Sequence, residues 1–379
     1  MEYVKLGDIC TKVCSGGTPT SSNPAYYDGN IPWLNTNEVN FCNIYSTNKT
    51  ISEEGLKKSA AKYVPENTVI VAMYGVTAGK CAIAKIPLTT NQACCNLIID
   101  KEKADYCYVY YYLRQQSDSL NKLAIGGAQQ NLNALTIKKF KIALPTLPTQ
   151  QKIASILSAY DRLIENNTRR IRLLEQMAEN IYKEWFVRFR FPEHEKVEMV
   201  NGLPKGWKVE KLGEYANIST GKCNREDAEE DGIYPLFDRS QEIKKSSKWI
   251  KDCEAIIVPG EGTSFIPRYY KGKFNLHQRC YCIEPTIKDI GFYLFYSIML
   301  NRKYFLSVAT GATVPSLRQN NFTKMKLVIA ELELVKKYNK IASTIALQID
   351  RLKEQNTLLT HQRDLLLPRL MSGKLEVKS

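Results

Sequence analysis

Apolar positions alternate four and three apart across residues 149–186, at Ile153, Leu157, Tyr160, Ile164, Asn167, Ile171, Leu174, Ala178, Ile181 and Trp185. The stretch holds no Gly and no Pro, and most of its residues lose little rotamer freedom in a helix. Such a seam predicts a coiled-coil helix that needs a partner, roughly 55 Å long at about 1.5 Å per residue. Pro145 and Pro148 precede it, so the helix is expected to start after them. The pattern returns near the C-terminus at Ile345, Ile349, Leu352, Asn356, Leu359, Arg363 and Leu366. Lys152-Ile153-Ala154-Ser155 recurs as Lys340-Ile341-Ala342-Ser343, and Asp161-Arg162-Leu163 as Asp350-Arg351-Leu352, so the partner is expected in the same chain. Asn167 falls where Asn356 falls. A lone polar residue in an apolar seam costs stability but can fix register, which puts both asparagines near the crossing of two antiparallel helices. The bland alternative leaves each at the seam's edge, in water.

The rest of the chain repeats as well. Lys5–Asp8 (KLGD) returns as Lys211–Glu214 (KLGE), Val69–Gly75 resembles Glu254–Gly260, and Asn91-Gln92-Ala93-Cys94 resembles His277-Gln278-Arg279-Cys280. Tyr108, Tyr111, Gly126, Leu132 and Lys141 recur 185 residues on as Tyr293, Tyr296, Gly311, Leu317 and Lys326. Within each copy, β-branched runs such as Thr68–Met73 and Cys81–Ile86 predict strands between Gly, Asn and Thr loops. Helices are expected over Ala104–Ala124 and Ile290–Val308, and short strands over Phe140–Leu144 and Met325–Ile329 lead into the long helices. The predicted class is α+β: two similar α/β modules separated by two long antiparallel helices, with a pseudo-twofold internal repeat. Residues 1–148 and 191–332 (linker included) form the modules, 149–190 the first spacer helix, and 333–379 the second spacer helix with a C-terminal tail.

Composition adds a partner class. The formal net charge is +14, with Lys and Arg spread along the whole chain, so folded surfaces must be basic and a polyanion is favoured. No run approaches a membrane span and the N-terminal stretch lacks a signal-peptide core, which predicts a cytoplasmic protein. The eleven cysteines have no CxxC spacing and there are three histidines, so reduced, mostly buried thiols are expected rather than a zinc site. Gly75–Cys81 resembles a phosphate-binding loop but is one residue short and lacks the Ser/Thr for magnesium, so it reads as a turn. Asn23-Pro24-Ala25-Tyr26 resembles the Asn-Pro-Pro-Tyr motif of amino-group DNA methyltransferases without its second proline or a glycine-rich cofactor unit. Converging catalytic groups are missing, so no catalysis is expected on this chain. Tyr108, Tyr111 and Tyr112 are either a base-stacking platform or, as we expect, one face of a core helix.

What remains is polar loop chemistry. Asn, Gln and Arg read base edges in two-pronged fashion, and Gly loops let backbone approach phosphates. The first module offers Thr18, Asn35, Asn37, Tyr74, Thr77, Lys80, Asn91, Gln92, Gln129, Gln130 and Asn131 as DNA-binding candidates. The second offers Lys222, Asn224, Arg225, Arg239, Ser240, Thr263, Ser264, Arg268, His277, Gln278, Arg279, Thr313 and Arg318. For any single loop, ordinary solvated turn chemistry is the simpler account. Up to Pro148 the sole arginine is Arg114, so the first module is expected to read the more A·T-rich sequence. Ile164, Asn167, Leu352 and Asn356 are candidates for the helix pairing, and Trp185, Phe186, Leu365 and Leu367 for a partner surface or plain core.

The order KLGD…SGGTP, TTNQ, ALPTLPTQQKIASILSAYDRLIE, LPKGWKVEKLGE and LLPRLMSGKLEV resembles the specificity subunit of type I restriction–modification enzymes over essentially the whole chain. The entry to the second long helix, IAELELVKKYNK, departs from that pattern by lacking the proline pair. The resemblance implies two target-recognition domains, each reading half of a split DNA sequence. It further implies helices that dock two modification subunits, with two restriction subunits added for ATP-driven cleavage. S-adenosylmethionine, ATP and Mg would then sit on partner subunits and none on this chain. Two reading heads on a stiff spacer suit half-sites about one turn, roughly 34 Å, apart. A self-contained adenine methyltransferase and a coiled-coil tether between protein-binding domains are the rival readings.

Overall fold

The computed structural model describes residues 2–123, 131–311 and 313–377, without the side chain of Arg225. The chain divides into two units, Met1–Asn167 with Gln355–Ser379, and Thr168–Glu354. In the first, a five-stranded sheet runs in the order Cys10–Ser15, Cys94–Ile99, Val69–Ala72, Cys81–Ala84, Cys42–Ile44. A four-stranded sheet, Lys49–Ile51, Tyr27–Leu34, Leu88–Thr90, Tyr63–Val64, accompanies it. Val69–Ala72 is apolar at every position because all four residues are buried. In the second unit one sheet suffices: Ala216–Thr220, Cys280–Pro285, Lys251–Pro259, Arg268–Leu276, Tyr234–Phe237, Lys244–Ser246. There the long strand Arg268–Leu276 does the work of two short strands, pairing with Lys251–Pro259 and, in parallel, with Tyr234–Phe237.

The internal repeat is visible hydrogen bond by hydrogen bond. The Tyr108 hydroxyl donates to Ala143 O at 2.8 Å, and the Tyr293 hydroxyl donates to Val328 O. Leu6 N donates to Phe140 O and Leu212 N to Met325 O. Asn91 N donates to Leu34 O and His277 N to Phe237 O, each at 2.9 Å, so Asn91 answers His277 and Leu34 answers Phe237. One pairing differs from the sequence reading. Met73 N donates to Ala93 O and accepts, through its carbonyl, Leu132 N, and Gly260 does the same with Arg279 O and Leu317 N. Met73 therefore answers Gly260, two residues off the match of Gly75 to Gly260. A slip of two leaves every side chain on its own face, so apolar alternation cannot detect it.

The tyrosine helices are shorter than expected, Tyr106–Gln115 followed by Ser117–Lys122, and Gly291–Leu300 followed by Lys303–Val308. Asp105 caps the first, accepting Tyr108 N at 2.9 Å. Tyr108, Tyr111 and Tyr112 are buried, as a core face requires. The buried side chains of Gln150 and Asn339, each early in its long helix, accept the backbone N–H of Asp105 and Phe292.

The first long helix spans Leu147–Tyr182 and continues in one wider π turn, Lys183–Val187. It begins before Pro148 rather than after it, because a first-turn N–H has no helical partner and proline loses nothing there. The second spans Leu332–Met371 and carries Pro368 in its last turn. Inside the first unit Ile153, Ala154 and Leu157 share a core with Leu367, Leu370 and Met371. Asn167 Nδ2 donates to Asn356 Oδ1 and to Gln355 Oε1, each at 3.0 Å. Asp161 meets Arg363 further along, so the two helices run antiparallel. Inside the second unit Ala178, Ile345 and Ile349 cluster with Ile171 and Leu174. Ile164 is half-buried and Leu352 buried. Among the described residues, no helix is long and apolar enough to cross a membrane.

Candidate nucleic-acid interface

In the first unit four loops meet at one end of the sheets. Gly16 and Gly17 lie tight against the strand ending at Thr90: a Cβ on Gly16 would stand 2.0 Å from Thr90 O, and Trp33 Nε1 donates to Gly17 O at 2.9 Å. That brings the Thr18 hydroxyl onto Gln92 Oε1, both side chains exposed. Asn91 Nδ2 donates to Asn35 Oδ1 at 3.3 Å. Glu38 shapes the 35–38 loop from behind, accepting Asn35 N at 3.1 Å and Asn48 N at 2.8 Å. Asn37 is left exposed on that loop. The buried Thr77 hydroxyl donates to Thr36 O at 2.8 Å, so Thr77 ties loops together rather than reaching solvent. Lys80 Nζ donates to Asn40 Oδ1 at 2.8 Å. Between these anchors Tyr74 is 40% exposed and Val76 97% exposed, a bare apolar tip suited to a thymine methyl. Asn131 is half-buried, and Gln129 and Gln130 lie outside the described residues.

The second unit builds the same end with charge. Gln278 Nε2 donates to Asn224 Oδ1 at 2.7 Å, as Gln92 accepts from Thr18. Where the first unit has Asn35 and Asn91, the second has Asp238 and His277, both buried. Burial would raise the Asp238 carboxyl, but Lys244 Nζ at 2.5 Å and the Ser240 hydroxyl and amide outweigh it and hold its pKa at about 2. Burial, and then Arg239, push the His277 imidazole down, so the ring is neutral at pH 7. Its Nδ1 accepts Arg279 N at 3.0 Å, which leaves the ring proton on Nε2. Arg239 and Arg279 are exposed and both donate to Glu261. Arg268, by contrast, is engaged in the fold. Its guanidinium donates to Ser240 O at 2.9 Å and Asp238 O at 2.6 Å and lies over the Phe237 ring. Lys222, Thr263, Ser264, Thr313 and Arg318 are exposed on the surrounding loops. Thr310 and Ser316 bridge the last of these loops closed, and Ser316 also bridges to Glu261.

Both ends therefore present hydrogen-bonding side chains on anchored loops, one mostly neutral and one rich in arginine. The sequence does not single out Glu38, Val76, Asp238 and Glu261: Glu261 takes its role from arginines 22 and 18 positions away, Glu38 and Asp238 from how their own loops fold, and Val76 from its exposure. Among the described residues, one group could offer a metal three ligand atoms, Cys253, Cys282 and Glu284, lying within 4.8 Å of one another. That is one short of a closed structural zinc site, and Lys251 Nζ already lies 3.5 Å from Glu284. On the long helices Phe186 and Leu367 are core, Trp185 is half-buried against it, and Leu365 stands 53% exposed.

The type I restriction enzyme MjaIX specificity subunit of Methanocaldococcus jannaschii is 28% identical over 99% of this chain and 93% of its own length. The EcoDI specificity subunit of Escherichia coli is 31% identical over 46% of this chain and 39% of its own. The crystal structure of a type I restriction-modification S subunit from M. genitalium has the same fold, with a TM-score of 0.66 at 19% identity, covering 100% of this chain and 96% of that one. The family model described as type I restriction modification DNA specificity domain matches residues 1–176 and 204–361. Matched twice over most of its length, the chain belongs to that family.

Proposed function

We propose that this chain is the sequence-reading subunit of a type I restriction–modification assembly and does no chemistry itself. Each unit reads one half of a split duplex target through its loop end. Residues 1–148 and 191–332 are the reading modules, and 149–190 and 333–379 the spacer helices. Two modification subunits dock for adenine N6 methylation and two restriction subunits for cleavage, carrying S-adenosylmethionine, ATP and Mg between them. The observation that carries the reading is the repeat itself. Matching backbone hydrogen bonds frame the loop end of both units, although their sheets differ, yet the side chains at those ends differ (Asn35 and Asn91 against Asp238 and His277). Twin frames with different tips are what a bipartite, non-palindromic target demands. The net charge of +14 supplies the phosphate attraction.

Co-expression with a modification subunit, followed by mapping of N6-methyladenine across the genome, tests this. A split motif methylated only when this chain is present is expected. Swapping residues 1–148 for those of a relative should change one half of the motif, and the half that changes should be the more A·T-rich. A contiguous motif, or a changed half dominated by G·C, would sink the assignment. Calorimetry with S-adenosylmethionine and the chain alone should show no binding, which separates this reading from a self-contained methyltransferase.

A further inference from the structure

We infer that Glu261 is a positioning residue for base recognition, its carboxylate aiming the Arg239 and Arg279 guanidiniums at guanine. The inference rests on reading the second unit as a DNA-reading module. Glu261 sits between Gly260 and Gly262, just past the strand Lys251–Pro259. Its backbone is held on both sides: Gly260 N donates to Arg279 O and accepts, at its carbonyl, Leu317 N, both at 2.8 Å, while Gly262 N donates to Pro315 O at 3.0 Å. A Cβ on residue 260 would meet Arg279 O at 2.8 Å and the Tyr281 ring at 2.9 Å, so glycine is what lets the loops approach this closely.

The side chains then divide by depth. Glu261 is 11% exposed, Arg239 49% and Arg279 57%, so the carboxylate lies beneath and the guanidiniums reach solvent. Arg239 Nη1 donates to Oε2 at 2.6 Å, and Arg279 Nη1 donates to Oε1. Burial would raise the carboxyl, but the two arginines win and hold it below its usual range, so it stays ionised. A guanidinium has five N–H donors, and one bond to Glu261 leaves enough for the two-pronged contact to guanine O6 and N7. Two guanidiniums on neighbouring loops would otherwise repel and sample many rotamers. The shared carboxylate removes both costs before DNA arrives.

The internal repeat supplies a control. By the hydrogen-bond register, Tyr74 answers Glu261, Thr36 answers Arg239 and Ala93 answers Arg279. The first unit lacks all three charged members and the second has all three. A carboxylate needed merely to fold the loop would be wanted in both.

The test uses the full chain assembled with its modification subunit. Wild type is titrated against duplexes bearing the methylated motif and against duplexes with single G·C pairs of the second unit's half-site changed to A·T. Wild type should discriminate by about tenfold or more at the pairs the arginines read. Glu261→Gln, which keeps the volume, should lose most of that discrimination while leaving the other half-site's preferences unchanged. The double variant Arg239→Ala/Arg279→Ala should lose it at the same pairs, and adding Glu261→Gln should change nothing further. Unchanged discrimination in Glu261→Gln, a uniform weakening on every duplex, or a further loss on top of the double variant would each overturn the inference. A wild-type assembly with no preference among the duplexes removes the DNA-reading assignment and this inference with it.

Discussion

Replacing Arg363 with methionine is expected to destabilise the first unit by about 3 kcal/mol, the lower end of what breaking a buried ion pair costs. Arg363 occupies a seam position of the second long helix, where an apolar residue would be the ordinary choice. Its side chain is 7% exposed, and it donates to Asp161 on the first long helix and to Asp364 beside it. Burial would lower its pKa, but the two carboxylates more than offset that and raise it. The Tyr111 hydroxyl donates to the other Asp161 oxygen at 2.5 Å, so one carboxylate joins both long helices to the tyrosine helix. Methionine fills much the same volume but strands Asp161, 16% exposed, with Tyr111 and with Arg114 at 3.9 Å. That residual charge is why the low end of the range applies. A shift of about 6–12 °C in the first unit's calorimetric transition is the expected readout. The double variant Asp161→Asn/Arg363→Met should recover most of the loss, because no charge is then stranded. If Arg363→Met alone stays within about 1 kcal/mol of wild type, Asp161 was not depending on it.

How much of this was legible in the chain follows from the range of the interactions. The long helices were, because a heptad pattern is local and repeats often enough to outvote accidents. The match of Tyr108 to Tyr293 was, because both hydroxyls reach the same strand carbonyl, at Ala143 and Val328. Arg363 showed as an odd residue in a seam, but its partner Asp161 lies some two hundred positions away and no periodicity links them. The pairing of Met73 with Gly260 was missed because a strand pattern has period two and tolerates a slip of two. Arg268 reads in sequence like Arg239 and Arg279. Only the folded 238–240 loop, whose carbonyls accept its guanidinium, shows that it braces that loop from within. Pro148 stands inside the helix for a different reason: the ban on helical proline applies past the first turn, and Pro148 lies within that turn.

Phe186 carries the other large effect, and it also decides between two roles that sequence left open. A phenylalanine at the end of a coiled-coil helix can dock a partner or fill a core. Here it is 4% exposed and ringed by Tyr182, Trp207, Tyr293 and Tyr338, with ring centroids 5.1, 5.8, 4.8 and 5.4 Å away. The cluster is pinned at its polar edges: the Tyr182 hydroxyl shares a hydrogen bond with the Ser297 hydroxyl at 2.7 Å, and the Tyr338 hydroxyl donates to Ala178 O at 3.0 Å. Rings tethered in this way cannot collapse into a void, so Phe186→Ala should cost the second unit about 3–5 kcal/mol. Phe186→Leu, which keeps most of the volume, should cost less than about 1.5 kcal/mol. Calorimetry on the chain alone is the discriminating measurement, since no partner subunit is then present to be lost. A core residue lowers the second unit's transition under those conditions and leaves the first unit's in place. A docking residue would leave both transitions where they were and weaken only assembly with the modification subunit. Leu365→Ala, at a position 53% exposed, is the control expected to leave both transitions in place.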